Sequence, residues 1–178
     1  MAAALVILSG LPGAGKTAIA RELARRLAAV HLRIDSIEQA LRESGVVEGP
    51  VNDAGYRVAY ALAEDNLRLG RIVIADSVNP IHLTRDAWLD VATRAEVSAI
   101  EVEIQCSNVA EHRRRVESRA ADLPGLKLPA WNEVLSREYA SWDRTHLVLD
   151  TAICTVEQNV QAIQVAVQEA LEALVSKN

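Results

Sequence analysis

Eight residues near the start of the chain carry the clearest chemistry: Gly10-Leu11-Pro12-Gly13-Ala14-Gly15-Lys16-Thr17. They fit G-x-x-x-x-G-K-[ST], a loop whose glycines let successive backbone N–H groups converge on a phosphate. Gly10, Pro12, Gly13, Ala14 and Gly15 would shape that cradle. Lys16 would reach the outer phosphates of a bound nucleotide, and the Thr17 hydroxyl would ligate Mg²⁺. The flanks agree with this reading. Residues 4–8 form a short apolar run that reads as a buried strand. Ile19, Leu23 and Leu27 then recur at helical spacing, so the positive end of a new helix faces the anion.

Two carboxylates follow apolar runs in the manner of strand ends. Asp35 closes Val30-His31-Leu32-Arg33-Ile34, and Asp76 closes Arg71-Ile72-Val73-Ile74-Ala75. Beside a phosphate loop, Asp35 is a candidate general base for an attacking hydroxyl; it could also cap the helix expected from Ser36 to Ser44. Asp76 suits the acidic residue that holds Mg²⁺, or a solvated turn carboxylate. Asn79 and Arg85 lie just beyond it, as substrate contacts or, for Asn79, as a shaper of the turn before Pro80.

The densest positive patch is His112 with Arg113, Arg114, Arg115 and Arg119. Arg115 and Arg119 are four residues apart and share a helix face. A basic helix from Asn108 to Ala121, ahead of the Pro/Gly break at 122–129, suits a lid over ATP. Its arginines could instead be solvated and paired with Glu111 and Glu117.

The elements that must position these groups alternate strand and helix. Further strands are expected at 97–105 and 147–149. Helices are expected at 56–69, 84–95, 131–142 and 156–174, the last with Val156, Val160, Ile163, Val167, Ala170 and Leu174 on one face. Residues 45–55, with three glycines, a proline, an asparagine and two acids, read as a long functional loop. Such alternation predicts an α/β three-layer sandwich of about five parallel strands with helices on both faces. All strand C-termini then share one edge, which brings the phosphate loop, Asp35 and Asp76 together.

Composition narrows the function. The 178 residues are 50% hydrophobic yet contain no Phe and only 3% aromatics, so the core must be aliphatic. The length suits one domain, 1–178, with the lid at about 111–130. The formal net charge of −5 argues against nonspecific nucleic-acid coating. Cys106 and Cys154 lack metal-ligand spacing and read as reduced buried thiols; the four histidines read as structural or surface groups. No run approaches membrane-spanning length and no basic flank precedes the first apolar run, which suggests a soluble, cytoplasmic protein.

The combination resembles the small P-loop kinases that include chloramphenicol phosphotransferase, zeta toxins and polynucleotide 5′-hydroxyl kinase domains. The loop from Gly10 to Thr17, Arg33-Ile34-Asp35-Ser36, Asp76-Ser77-Val78-Asn79 with Arg85, and the arginine helix around Arg115 and Arg119 carry the likeness. It implies a P-loop NTPase fold, Asp35 as the base, and Arg113, Arg115 and Arg119 in a lid over ATP. It also implies an acceptor side built from Arg33, Asp35, Asp76, Asn79 and Arg85. Polynucleotide kinases of this type carry an arginine three residues after the base, where this chain has Glu38. Repulsion from Glu38 disfavours a nucleic-acid phosphate. The expected activity is ATP- and Mg²⁺-dependent phosphorylation of a small-molecule hydroxyl. The alternatives are a polynucleotide or nucleotide-sugar kinase, and a non-catalytic ATP-binding module.

Overall fold

The computed structural model describes residues 3–46 and 49–175. Strand β1 (Ala4–Ser9) is the centre of the fold. All six of its residues are buried, because it is covered on both faces and hydrogen-bonded on both edges. It pairs in parallel with β3 (Val73–Asp76) and β4 (Ser98–Gln105); β2 (Val30–Arg33) and β5 (Leu147–Asp150) complete the order β2-β3-β1-β4-β5. Alternation along β1 divides the core. Ala4, Val6 and Leu8 pack with Ile19, Ala20 and Leu23 of α1 (Lys16–Leu27) and with Val160, Ile163 and Val167 of α7 (Val156–Val175). Leu5 and Ile7 face α3 (Ala54–Arg68) and α4 (His82–Arg94) through Ala59, Ala63, Leu67, Trp88 and Val91. The expected three layers and five parallel strands are all present.

Register does the positioning. Leu8 lies opposite Asp76, and Asp76 lies opposite Arg33, so three strands end at one level. The phosphate loop leaves β1 there, and α2 (Ile34–Glu43) begins there. Gly10 cannot be replaced freely: at φ 141° its backbone lies so close to Ile104 that an added Cβ would collide with the Ile104 carbonyl oxygen.

Several boundaries differ from the sequence reading. Helix α2 starts at Ile34, which puts Asp35 inside its first turn and makes Arg33 its N-cap. The basic helix α5 covers Val109–Ser118 and leaves Arg119 beyond its end. Helix α6 stops at Leu135 instead of reaching Trp142. Val47 and Glu48 of the expected loop, and the side chain of Leu174 in α7, lie outside the described residues.

The early end of α6 has a specific cause. Arg85, fully buried on α4, donates Nη2 to the Ala140 carbonyl at 2.8 Å and Nη1 to the Ser141 carbonyl at 3.2 Å. Ala140 N–H donates to the Pro80 carbonyl at 2.7 Å. The backbone at 140–141 is thus satisfied by α4 and the preceding turn, not by helical bonds. The Trp142 ring covers the Arg85 guanidinium at 4.1 Å. Asn79 is the companion hub, in a left-handed conformation at φ 47°. Its amide donates to Ser9 Oγ at 3.1 Å, its Oδ1 accepts from Trp88 Nε1 at 3.2 Å, and its carbonyl accepts from Arg85 Nε at 3.0 Å. Neither Arg85 nor Asn79 lines the cleft described below, which corrects their expected placement on the acceptor side.

Arg85→Ala removes the donor to three carbonyls, the one at Asn79 buried and those at Ala140 and Ser141 nearer the surface. It is expected to lower unfolding free energy by about 3 kcal/mol or more, read as a reduced urea midpoint at unchanged slope. An unchanged midpoint would show that the carbonyls find other donors.

Candidate active site

A cleft of about 770 Å³ opens along the carboxyl edge of the sheet. Lys16, Thr17, Asp35, Asp76 and Arg119 all face it. The phosphate loop forms its floor, α2 one wall and the segment 125–129 its roof.

Lys16 is buried, and its Nζ donates to the carbonyls of Gly10 at 2.7 Å and Leu11 at 3.0 Å. Burial lowers its pKa to about 8 against the opposing pull of Asp76 and Asp35, while Arg119 and Arg137 push it down further. Gly13 is pressed against Val116 and His112 of α5 so closely that a Cβ would overlap the Val116 methyl. His112 Nε2 lies 2.8 Å from the Pro12 carbonyl, so α5 rides directly on the loop. Thr151, just after β5, donates its hydroxyl to the Ala14 carbonyl at 2.8 Å and braces the other side.

Asp76 sits deeper, with its Oδ2 3.2 Å from His31 Nε2 and a hydrogen bond from the Thr17 hydroxyl. Burial alone would raise its pKa. The His31 hydrogen bond and the Lys16 charge outweigh that and hold the carboxyl below its usual range. An ionised carboxylate touching a hydroxyl oxygen is a hard-oxygen pair that fits Mg²⁺, so Thr17 and Asp76 could hold that ion together.

Asp35 is half exposed, at 47% of its side chain, and opens into the cleft from the first turn of α2. A carboxylate there is also favoured by the helix dipole. Behind it, Arg33 is only 4% exposed and contacts Asp35 at 3.3 Å. The same guanidinium grips Asp122 with two bonds, at 2.7 and 3.0 Å, and Arg21 reaches Asp122 at 2.6 Å. Asp122 lies in the expected lid segment and is held well below the usual carboxylate range, chiefly by its bond to Arg33. Arg33 is therefore a clasp behind the candidate base and does not line the cleft, contrary to its expected acceptor-side placement.

The arginines expected in a lid separate by position. Arg113 is exposed and paired with Glu117 at 2.8 Å, outside the cleft. Arg115 binds Glu111 at 2.8 Å and reaches the Thr151 hydroxyl at 2.8 Å and carbonyl at 3.0 Å, at the margin of the phosphate loop. Arg119 alone of the three lines the cleft. The pairing with Glu111 and Glu117 weighed from sequence therefore describes Arg113 and Arg114, and in part Arg115. Sequence reasoning did not single out Tyr56, Lys127 or Arg137 for the site, yet all three line the cleft. Tyr56 opens a helix, and the two cations sit in irregular or short elements where no periodic pattern marks a face.

Other proteins resemble this chain in sequence or in fold. An Aeropyrum pernix protein named "Probable adenylyl-sulfate kinase" is 28% identical over 179 residues, covering 94% of each chain. A candidate kinase from Chloroflexus aurantiacus superposes with a TM-score of 0.75 at 21% identity, over 95% of this chain and 98% of that one. The Mycobacterium tuberculosis APS kinase CysC, solved with AMPPNP and APS, gives 0.63 at 17% identity over 94% and 98%. Both structures share the kinase-like P-loop fold. The family model described as an AAA domain (AAA_33) matches residues 5–137, most of the chain, and the protein belongs to that family.

Proposed function

We propose that the protein is an ATP- and Mg²⁺-dependent kinase that phosphorylates a hydroxyl of a small molecule. One observation carries the reading: Asp35 shares a single cleft with Lys16, Thr17 and Asp76, and Arg33 backs its carboxylate. The adenylyl-sulfate kinase name of the Aeropyrum relative, and the nucleotide and APS bound by CysC, support a nucleotide-dependent small-molecule kinase.

In this reading the phosphate loop and Lys16 hold the ATP phosphates, Lys16 exchanging its loop carbonyls for phosphate oxygens. Thr17 and Asp76 would hold Mg²⁺, which would supply neutralisation of phosphate charge. The acceptor O–H gives its proton to Asp35 as its oxygen bonds to the γ-phosphorus. The bond from that phosphorus to the β,γ-bridging oxygen breaks, and ADP leaves. Arg119 faces the charge that develops, and Arg115 with Thr151 frames the nucleotide. Residues 1–178 act as one kinase unit whose lid runs from about 111 to 130.

Asp35→Asn is expected to bind ATP normally while acceptor-dependent ADP release falls by about 10²- to 10⁴-fold. A loss of less than tenfold would remove Asp35 as the base. Nucleotide affinity should also depend on pH. Free Lys16 loses its proton near pH 8, and bound phosphate favours the charged ammonium. Above that pH, binding must take up a proton, so affinity should fall by up to about tenfold per pH unit. Calorimetry from pH 7 to 9.5 in buffers of different ionisation enthalpy would show the uptake, and Lys16→Met should abolish it.

A further inference from the structure

The mouth of the cleft carries charge that the transfer reaction does not use. Each carboxylate facing the cleft has a partner: Asp35 has Arg33, Asp76 has His31, Glu38 has Arg42 at 2.9 Å, and Glu43 accepts from Gln39 at 2.9 Å. On the cationic side, Lys16 and Arg119 stand at the phosphate end, and Arg42 is taken by Glu38. Lys127 and Arg137 remain. Both are exposed and line the cleft, and among the described residues neither side chain makes an ion pair or hydrogen bond. They come from different elements, Lys127 from the roof segment and Arg137 from just beyond α6, and converge on one opening. Arg137 also acts electrostatically on both Lys16 and Glu38, which line the same cleft.

We infer that the acceptor is itself an anion, a small hydroxylated carboxylate or phosphate, whose charged group is held by Arg137 and Lys127 while its hydroxyl meets Asp35. The inference rests on the kinase reading above. The phosphates of ATP are already provided for by the loop, Lys16, Arg119 and the Thr17–Asp76 pair, so two further unpaired cations at the mouth serve the other substrate. The rest of the molecule makes such cations necessary. With a net charge of −5, the protein repels an anion at long range and needs a local positive entrance to admit one. The acceptor must also be small, because one cleft of about 770 Å³ has to take it together with the transferring end of ATP.

Matched pairs of acceptors test this: D-glycerate against glycerol, D-glucuronate against D-glucose, and O-phosphoserine against serine. Each compound is assayed for ADP release with Mg²⁺ and ATP. Each is also assayed for its shift of the thermal midpoint of protein loaded with Mg²⁺ and AMPPNP, which needs no turnover. Wild-type protein is expected to prefer the anionic member of a pair. Arg137→Gln, Lys127→Gln and their combination, all at exposed positions, should collapse that preference by about tenfold to a hundredfold, chiefly through KM. Two results overturn the inference. One is a wild-type protein whose binding shows no preference for anions in any pair. The other is a loss in the variants that is equal for charged and neutral acceptors and lies in kcat, which would assign the cations to the transferring phosphoryl group. Failure of the kinase reading looks different: the anion-dependent thermal shift persists and responds to Arg137→Gln, while Asp35→Asn changes no rate.

Discussion

The parallel register between β1, β3 and β2 is the constraint on which the site depends. Leu8, Asp76 and Arg33 stand side by side across three strands, and the phosphate loop, Asp35 and Asp76 all leave the sheet at that line. A one-residue slip in β3 would turn Asp76 to the opposite face of the sheet. The aliphatic core prevents such a slip. Val73 and Ala75 are committed to the layer with α3 and α4, while Ile74 is committed to the layer with α1 and α7. Packing of Ala, Val, Leu and Ile on both faces thus fixes where two carboxylates and a phosphate loop meet.

Buried charge is handled by two arginines in opposite ways. Among the described residues Arg85 has no carboxylate partner; three backbone carbonyls and two aromatic rings receive its guanidinium. It serves to fold the irregular segment after α6. Arg33 has two carboxylate partners, one on the candidate base and one on the lid segment. Removing either partner would leave a buried cation less well compensated, which costs far more than an exposed pair contributes.

The parts of the site that could be read in the sequence are those where chemistry and local pattern coincide. The phosphate loop shows itself by glycine spacing, and Asp35 and Asp76 by their position after apolar runs. Alternation of strand and helix was enough for the three layers. What escaped the sequence depends on long-range partners. Arg85 lies beyond a conspicuous Asp76-Ser77-Val78-Asn79 stretch and reads as a substrate contact, yet its partners are 55 and 56 residues away. The helix expected through Trp142 has a plausible apolar pattern, but its backbone bonds are taken by Arg85 and Pro80. Arg33 and Arg119 look alike in sequence as cations near a phosphate loop. Both reach Asp122; Arg33 does so from a buried position with two short bonds, whereas Arg119 stands 3.9 Å from it and faces the cleft.

The Arg33 clasp also links the segment at Asp122 and the candidate base in one physical unit. A single guanidinium touches Asp35 through Nη2 and holds Asp122 through both terminal nitrogens. Gln39 adds a second tie from α2 to the roof, donating to the Pro124 carbonyl at 2.9 Å. Arg33 thus fastens the start of α2 to the segment at 122, its buried charge shared between Asp122, which takes two bonds, and Asp35, which takes one. This accounts for an arginine so deeply buried beside a half-exposed carboxylate, since a residue meant only to grip substrate would stand in the cleft.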